Sequence, residues 1–334
     1  MPLSLDLARS LINVLDEPAL IVEGSRTLAA NAAARDLLGH GIEGTDIRFA
    51  IRHPEALQTI LAGNAAELEL VGIGSADRPW LMHLRAIGNG MRLVRLVDHS
   101  AGRAAEKMRV DFVANASHEL RTPLATIAGY AETLADDDDV GDEVRRRFGS
   151  VIHSEAHRML GIIEDLMSLS RIEAERFMAP REAVDLGEVA RLAVENTAHL
   201  VGKDSVTIDL RVEADLPPVA GDHGQLLQTA DNLLGNAIRY GCPAPGMTVT
   251  IEVRRDGDRA LLAVRDQGEG IPAEHLPRLT ERFYRVDAAR SRDGGGTGLG
   301  LAIVKHIVER HRGTLDIRSA PKMGTSVEIR LPFA

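Results

Sequence analysis

F-V-A-N-A-S-H-E-L-R-T-P-L, residues 112–124, sets a histidine, a following carboxylate and a proline inside a segment whose apolar residues otherwise recur at helical spacing. From about Ser100 to Arg176 the period is that of long helices. Met108, Phe112, Leu120, Leu124, Ile127 and Leu134 recur at three- and four-residue steps; Val144, Phe148, Val151, Ile152, Met159, Ile163, Leu166, Met167 and Ile172 do the same. Asp136-Asp137-Asp138-Asp139 and Gly141 read as a solvated turn between the two. Two long helices on a short connection form an antiparallel hairpin, and one hairpin cannot cover its own apolar seams. A second copy of the chain completing a four-helix bundle is therefore expected.

His118 lies between apolar positions of the first helix. A lone histidine is ordinarily a core or surface residue, but three neighbours argue for chemistry here. Glu119 is close enough to reach one ring nitrogen, hold the tautomer and draw off the proton, which leaves the other nitrogen nucleophilic near neutral pH. Arg121 and Thr122, three and four residues on, share the helical face of His118. Pro123 removes a backbone donor and crowds the carbonyl of Glu119, so a bend is expected. At this spacing S-H-E-L-R-T-P-L resembles the phospho-accepting box of sensor histidine kinases. The resemblance implies that His118 takes the γ-phosphoryl group of ATP and passes it to an aspartate in the receiver domain of a response regulator. E-L-R-T also resembles the E-x-x-T pattern linked to phosphatase activity in that family, which would give Thr122 a water to hold; simple packing before Pro123 is the competing role.

With 334 residues, 44% hydrophobic and 26% charged, the chain has apolar material for two or three domains. A net charge of −10 and the absence of any basic run argue against nucleic acid as a partner. The single cysteine, Cys242, excludes an internal disulfide and multi-cysteine metal motifs and fits a reducing compartment. No segment approaches a membrane span and no signal peptide opens the chain, so a cytoplasmic location is expected, with peripheral membrane association left open.

Residues 1–98 read as a first domain. Leu5 to Leu15 has helical spacing, Ala19 to Val22 is a short strand, Glu23-Gly24-Ser25 a turn, and Asn31 to Leu38 a helix stopped by Gly39. Glu67 to Val71, Trp80 to Ile87 and Met91 to Val97 read as strands, the last two joined through Gly88-Asn89-Gly90. This α/β pattern, with D-E-P-A-L-I-V-E-G followed by Asn31-Ala32-Ala33-Ala34, resembles a PAS sensor domain. The resemblance implies a small-molecule or protein signal, with His40, His53, Trp80 and His83 as contacts set against their ordinary surface or core roles. No cysteine lies here, which excludes a flavin-cysteine photosensor.

Residues 179–334 must then supply nucleotide. Leu186 to Leu200 reads as a helix, Val206 to Val212 as a strand, and Gln225 to Arg239 as a helix that sets Asn232 and Asn236 on one face with Arg239 three residues further. Two amide oxygens on one face suit Mg²⁺, which prefers oxygen ligands and keeps phosphates in its shell; solvent-facing asparagines are the alternative. A strand hairpin, Thr248 to Val253 and Ala260 to Val264, runs into Asp266-Gln267-Gly268-Glu269-Gly270, where a carboxylate followed by two glycines can accept from an adenine amine. G-E-G-I-P-A also fits a dinucleotide fingerprint, but a hairpin precedes it and no helix starts at Gly270. Glu281 to Asp287 follows. Gly294-Gly295-Gly296-Thr297-Gly298-Leu299-Gly300 then leads into an apolar helix and aims backbone N–H groups at phosphate. Arg278 to Gly296 reads as a lid. Thr314 to Arg318 and Ser326 to Leu331 close the domain as strands.

The order N box, D-x-G-x-G, F box, G-x-G-x-G resembles the ATP domain shared by histidine kinases, type II topoisomerases, Hsp90 and MutL. By that resemblance Asn232, Asn236, Arg239, Tyr240, Asp266, Gly268, Gly270, Phe283, Thr297, Gly298, Leu299 and Gly300 bind ATP, and Asn236 binds Mg²⁺. The expected fold is α+β and multidomain: a PAS-like sensor over 1–98, a helical-hairpin dimerisation and phosphotransfer bundle over 99–178, and an α/β-sandwich ATP-binding domain over 179–334. The phrasing around His118 and I-I-E-D-L-M-S-L-S-R-I-E look most like the phosphate-regulon sensor branch, whose members commonly carry a membrane anchor. An ATPase of the Hsp90/MutL type without phosphohistidine chemistry, and an interaction protein with a decayed kinase, are the alternatives.

Overall fold

Strand pairing in the first part of the chain follows period-two burial: Trp80, Met82 and Leu84 are buried and their neighbours less so. The structure is a computed structural model that describes residues 4–74, 78–136, 141–175, 178–197, 206–242, 246–286 and 296–334. The chain divides into two compact units, Met1–Val113 and Ala114–Ala334.

The first unit holds α1 (Leu5–Ile12), β1 (Ala19–Glu23), β2 (Arg26–Ala30), α2 (Ala32–Leu38), α3 (Ile47–Ala50), α4 (Pro54–Ala62), β3 (Ala66–Val71), β4 (Pro79–Gly88) and β5 (Met91–Asp98). Its antiparallel sheet has the order β2-β1-β5-β4-β3. The expected β4–β5 hairpin closes through Asn89 and Gly90, both at positive φ (53° and 75°), the left-handed geometry of a tight two-residue turn. Leu20, Val22, Ile47, Ile60, Met82 and Leu96 are among the core residues. Three of the residues weighed as ligand contacts have structural partners. The His53 side chain caps α4, the Trp80 indole N–H donates to the Ile73 carbonyl at 3.0 Å, and the His83 ring lies 3.3 Å from Glu67.

Helix α5 (Ser100–Asp136) belongs to both units and holds Pro123 in its interior. Helix α6 (Asp142–Ala174) follows; the acidic turn at 137–140 lies outside the described residues. Leu124, Leu160, Ile163 and Met167 on these helices are exposed. The second unit continues with β6 (Glu182–Val184), α7 (Leu186–Thr197), β7 (Val206–Val212), β8 (Val219–Gly221), α8 (His223–Gly241), β9 (Met247–Asp256), β10 (Arg259–Arg265), a 3₁₀ helix (Ala273–Arg278), α9 (Gly300–Arg310), β11 (Thr314–Ser319) and β12 (Thr325–Pro332). Its main sheet runs β11-β12-β10-β9-β7, antiparallel except for the parallel β7–β9 pair. Helix α8 thus serves as a crossover between parallel strands, while the strands before Asp266 form the expected antiparallel hairpin. Leu226, Ala230, Leu233, Leu234 and Ala237 form the buried stripe of α8 against Val249, Ile251, Leu262 and Ile329. This stripe turns Asn232, Asn236 and Arg239 toward the opposite side of the helix. Among the described residues, no helix is long and apolar enough to cross a membrane.

Candidate functional site

His118 is exposed on α5, and no hydrogen bond or ion pair joins its ring to another described residue. The Glu119 carboxylate, expected to reach that ring, instead lies 3.2 Å from Arg158 on α6 and 3.7 Å from Arg285. Both guanidiniums are close to buried, at 11% and 9% side-chain exposure, and Arg158 also lies 3.7 Å from Glu155. Two largely desolvated cations thus face one half-buried carboxylate. Thr122 is exposed one turn beyond His118, and its hydroxyl donates to the His118 carbonyl at 3.3 Å.

In the nucleotide region, close packing brings several candidates together. A Cβ at Gly300 would lie 3.0 Å from the Asn232 Oδ1, and one at Gly296 would strike the Tyr240 hydroxyl and sit 3.8 Å from Arg239 Nη1. Only glycine leaves the α9 entrance open toward α8. Helix α9 has no side-chain cap, so its first-turn N–H groups face outward from an apolar helix, the arrangement that receives phosphate. Asn236 is half-buried one turn beyond Asn232, and no described residue hydrogen-bonds to either amide. The Leu299 side chain is fully buried and its N–H donates to the Thr297 hydroxyl at 3.2 Å, so Leu299 anchors the loop.

Asp266 stands at the end of β10. Its Oδ1 accepts from the N–H groups of Gly268 (2.9 Å) and Thr325 (3.1 Å), which leaves Oδ2 for a further donor. Burial pushes the carboxyl above its usual range, against the lowering effect of those two donors. A side chain at Gly241 would strike Asp266, and one at Gly268 would meet the Gly241 backbone at 2.6 Å, so both glycines keep the α8 end close to this carboxylate. Gly270 is left-handed (φ 67°) beneath the Ala320 carbonyl. Phe283, itself at φ 63°, donates its N–H to the Gly298 carbonyl at 2.9 Å. The remainder of the lid, 287–295, lies outside the described residues.

Thr297 is turned toward the hairpin: its hydroxyl donates to Asp165 on α6 at 2.7 Å. Burial raises the Asp165 carboxyl above its usual range, Thr297 opposing that effect. Arg282 pairs with Glu173, Ser168 donates to Gln228 at 2.8 Å, and Arg310 lies 2.7 Å from Glu175. Sequence reasoning missed Arg158, Arg285, Asp165 and Glu173, because isolated charges on helices look solvated until a distant partner is placed beside them.

Residues 108–175 match the His Kinase A (phospho-acceptor) domain, and residues 221–334 match the family described as histidine kinase-, DNA gyrase B-, and HSP90-like ATPase. The phosphate regulon sensor protein PhoR of Pseudomonas aeruginosa is 37% identical over 304 residues, 89% of this chain and 67% of its own length. The sensor-like histidine kinase SenX3 of Mycolicibacterium smegmatis is 39% identical over 241 residues, 72% of this chain and 62% of its own length. The chain therefore spans about two thirds of these curated relatives. Full-length ShkA, solved in complex with AMPPNP, superposes with a TM-score of 0.50 at 27% identity over 67% of this chain and 46% of its own.

Proposed function

From the premise that the chain belongs to the sensor histidine kinases, we propose that its second unit phosphorylates His118 from ATP and passes the phosphoryl group to an aspartate of a response-regulator receiver domain. In the first step a bond forms between an imidazole nitrogen and the γ-phosphorus, the bond to the β-phosphate oxygen breaks, and ADP leaves. The ring proton goes to Glu119 once its carboxylate is freed from Arg158 and Arg285. The observation that carries this reading is the convergence of Asn232, Arg239 and Tyr240 on the glycines that open the uncapped α9.

Asp266 Oδ2 takes the adenine amine, and Arg239 with the α9 N–H groups takes phosphate. The open amide of Asn236 fits Mg²⁺, which would share the phosphate oxygens and offset their charge during transfer. Thr122 holds a water for hydrolysis of the regulator's aspartyl phosphate. Two copies associate through the exposed seam of α5 and α6. The first unit serves as a PAS-like sensor; its five-stranded antiparallel sheet and the buried Asn31 at the start of α2 support that assignment. An ATPase of the Hsp90/MutL type would share the nucleotide residues but has no use for an exposed His118 beside a sequestered carboxylate.

Incubation with γ-labelled ATP tests the proposal. Acid-labile, base-stable label on the chain is expected, and it should vanish in His118→Gln while nucleotide affinity stays near that of the parent. Label retained on His118→Gln sinks the assignment.

A further inference from the structure

A cavity of about 790 Å³ opens where the segment after α6, Met178 to Arg181, crosses the ATP-binding fold beside β8, β10 and the C-terminal Pro332-Phe333. This lies within the range of small-molecule sites, roughly 300–1,000 Å³, and no nucleotide candidate lines it. Its lining charges are all of one sign. Arg181, Arg259 and Arg312 face it, and no carboxylate does.

That lining runs against the rest of the molecule. The chain carries 49 acidic and 39 basic residues, and the neighbouring Arg310 and Arg330 do have carboxylate partners, Glu175 at 2.7 Å and Asp256 at 2.7 Å. Arg181, Arg259 and Arg312 have no ion-pair partner among the described residues, and Arg259 Nη1 is buried without a hydrogen bond. A desolvated guanidinium N–H without an acceptor is costly, and an anion relieves the cost most directly. His311 also lines the cavity, but its ring is already engaged: Nε2 accepts from the Asp222 N–H at 2.9 Å and Nδ1 donates to the Ile307 carbonyl at 2.7 Å. Met178, Pro332 and Phe333 supply an apolar floor.

We propose that this cavity is a second ligand site, which takes a small organic phosphate or carboxylate whose anionic group bridges Arg181, Arg259 and Arg312 and whose apolar body lies on Pro332 and Phe333. The site has a consequence for signalling, because Met178 to Arg181 is the connection between hairpin and ATP-binding fold and Arg310 already donates to the Met178 carbonyl at 3.2 Å. A bound anion ties that connection to β10 and α9.

Calorimetric titration of the full chain with phenyl phosphate tests the site, with benzyl alcohol as the uncharged control and a fluorescent ATP analogue reporting the nucleotide site. One phenyl phosphate should bind per chain without displacing the analogue, and benzyl alcohol should not bind. Arg259→Gln combined with Arg312→Gln should weaken phenyl phosphate roughly tenfold or more, the scale of a lost bidentate contact, and leave analogue affinity unchanged, which also certifies the fold. Arg312→Gln alone, at an exposed position, should weaken it by a smaller factor. No heat at millimolar phenyl phosphate, displacement of the analogue, equal binding of benzyl alcohol, or unchanged binding in the double variant would each overturn the proposal.

Discussion

At the scale of single residues, Asp266 lets stability and the proposed base recognition be tested apart. Its raised pKa means that the buried, ionised carboxyl costs folding free energy: the contribution that favours the fold is present at acidic pH and is lost as pH rises through the raised value. Asp266→Asn keeps an Oδ1 for the N–H groups of Gly268 and Thr325 and removes the charge. The variant should therefore melt higher than the parent at neutral pH, with the gap closing on acidification. Its amide presents a donor where the carboxylate presented Oδ2, so ATP affinity should fall and preference for ATP over GTP should shrink. A variant that discriminated the two nucleotides as well as the parent would remove Asp266 from the base site. Asn236→Ala should act differently, sparing some nucleotide binding while phosphoryl transfer fails, as followed by label on His118. The placement of Asn232 and Arg239 on one face of α8 and of Asp266 at a strand end was legible because helical spacing and the hairpin constrain it locally. Arg158 and Arg285 were not, since their partner Glu119 is near in space and far in sequence.

At the scale of elements, two junctions decide behaviour. In the first unit, buried Asn31 accepts from the N–H groups of Ala19 and Ala34 and donates to the carbonyls of Ile12, Leu15 and Glu17, which ties α1, β1 and α2 together. Asn31→Ala leaves those groups without partners and should cost about 3 kcal/mol in thermal or urea unfolding of that unit. Asn31→Asp keeps the acceptor and should fall between. In the second unit, Asp165 holds Thr297 at the entrance to α9. Asp165→Ala frees that loop and should raise the rate of autophosphorylation. Asp165→Asn keeps an acceptor for the Thr297 hydroxyl but removes the charge, so at neutral pH its rate should exceed the parent's, stay below that of the alanine variant, and lose the pH dependence this carboxyl gives. The sign follows from the contact itself: the Thr297 hydroxyl lowers the Asp165 carboxyl against the raising effect of burial, so the bond favours the ionised form and strengthens as pH rises through that titration. Equal rates for the alanine and asparagine variants would show that the contact does not restrain the loop. Most elements were legible from apolar period and turn residues, but β2, α3, α4 and the short β6 and β8 were not. Strand β2 is R-T-L-A-A, whose alanines carry no β signal, and it pairs because β1 supplies the edge. Helix α4 did carry a readable start and stop, Pro54 at its first turn and left-handed Gly63 at its end.

For the whole molecule, the decisive property is what covers the hairpin. Leu124, Leu160, Ile163 and Met167 stay at 54%, 55%, 41% and 61% exposure in a single chain, while Ile162, Leu169 and Ile172 of the same α6 are buried. Helix α6 thus has one apolar face satisfied within its own chain and another open, the condition under which two hairpins close a four-helix bundle. The three- and four-residue spacing marked the apolar residues of α6 but not which of them α9 would cover, a contact invisible until the ATP-binding fold is placed. Leu160→Asp sets a carboxylate in the open seam of both copies, where it would be desolvated without a counter-charge. Light scattering should report a monomer for this variant at concentrations where the parent is a dimer. Its nucleotide affinity should be unchanged, because Asn232, Arg239 and Asp266 all lie within the β7–β12 fold of one chain. A Leu160→Asp protein that remains dimeric at parental strength would place the interface elsewhere.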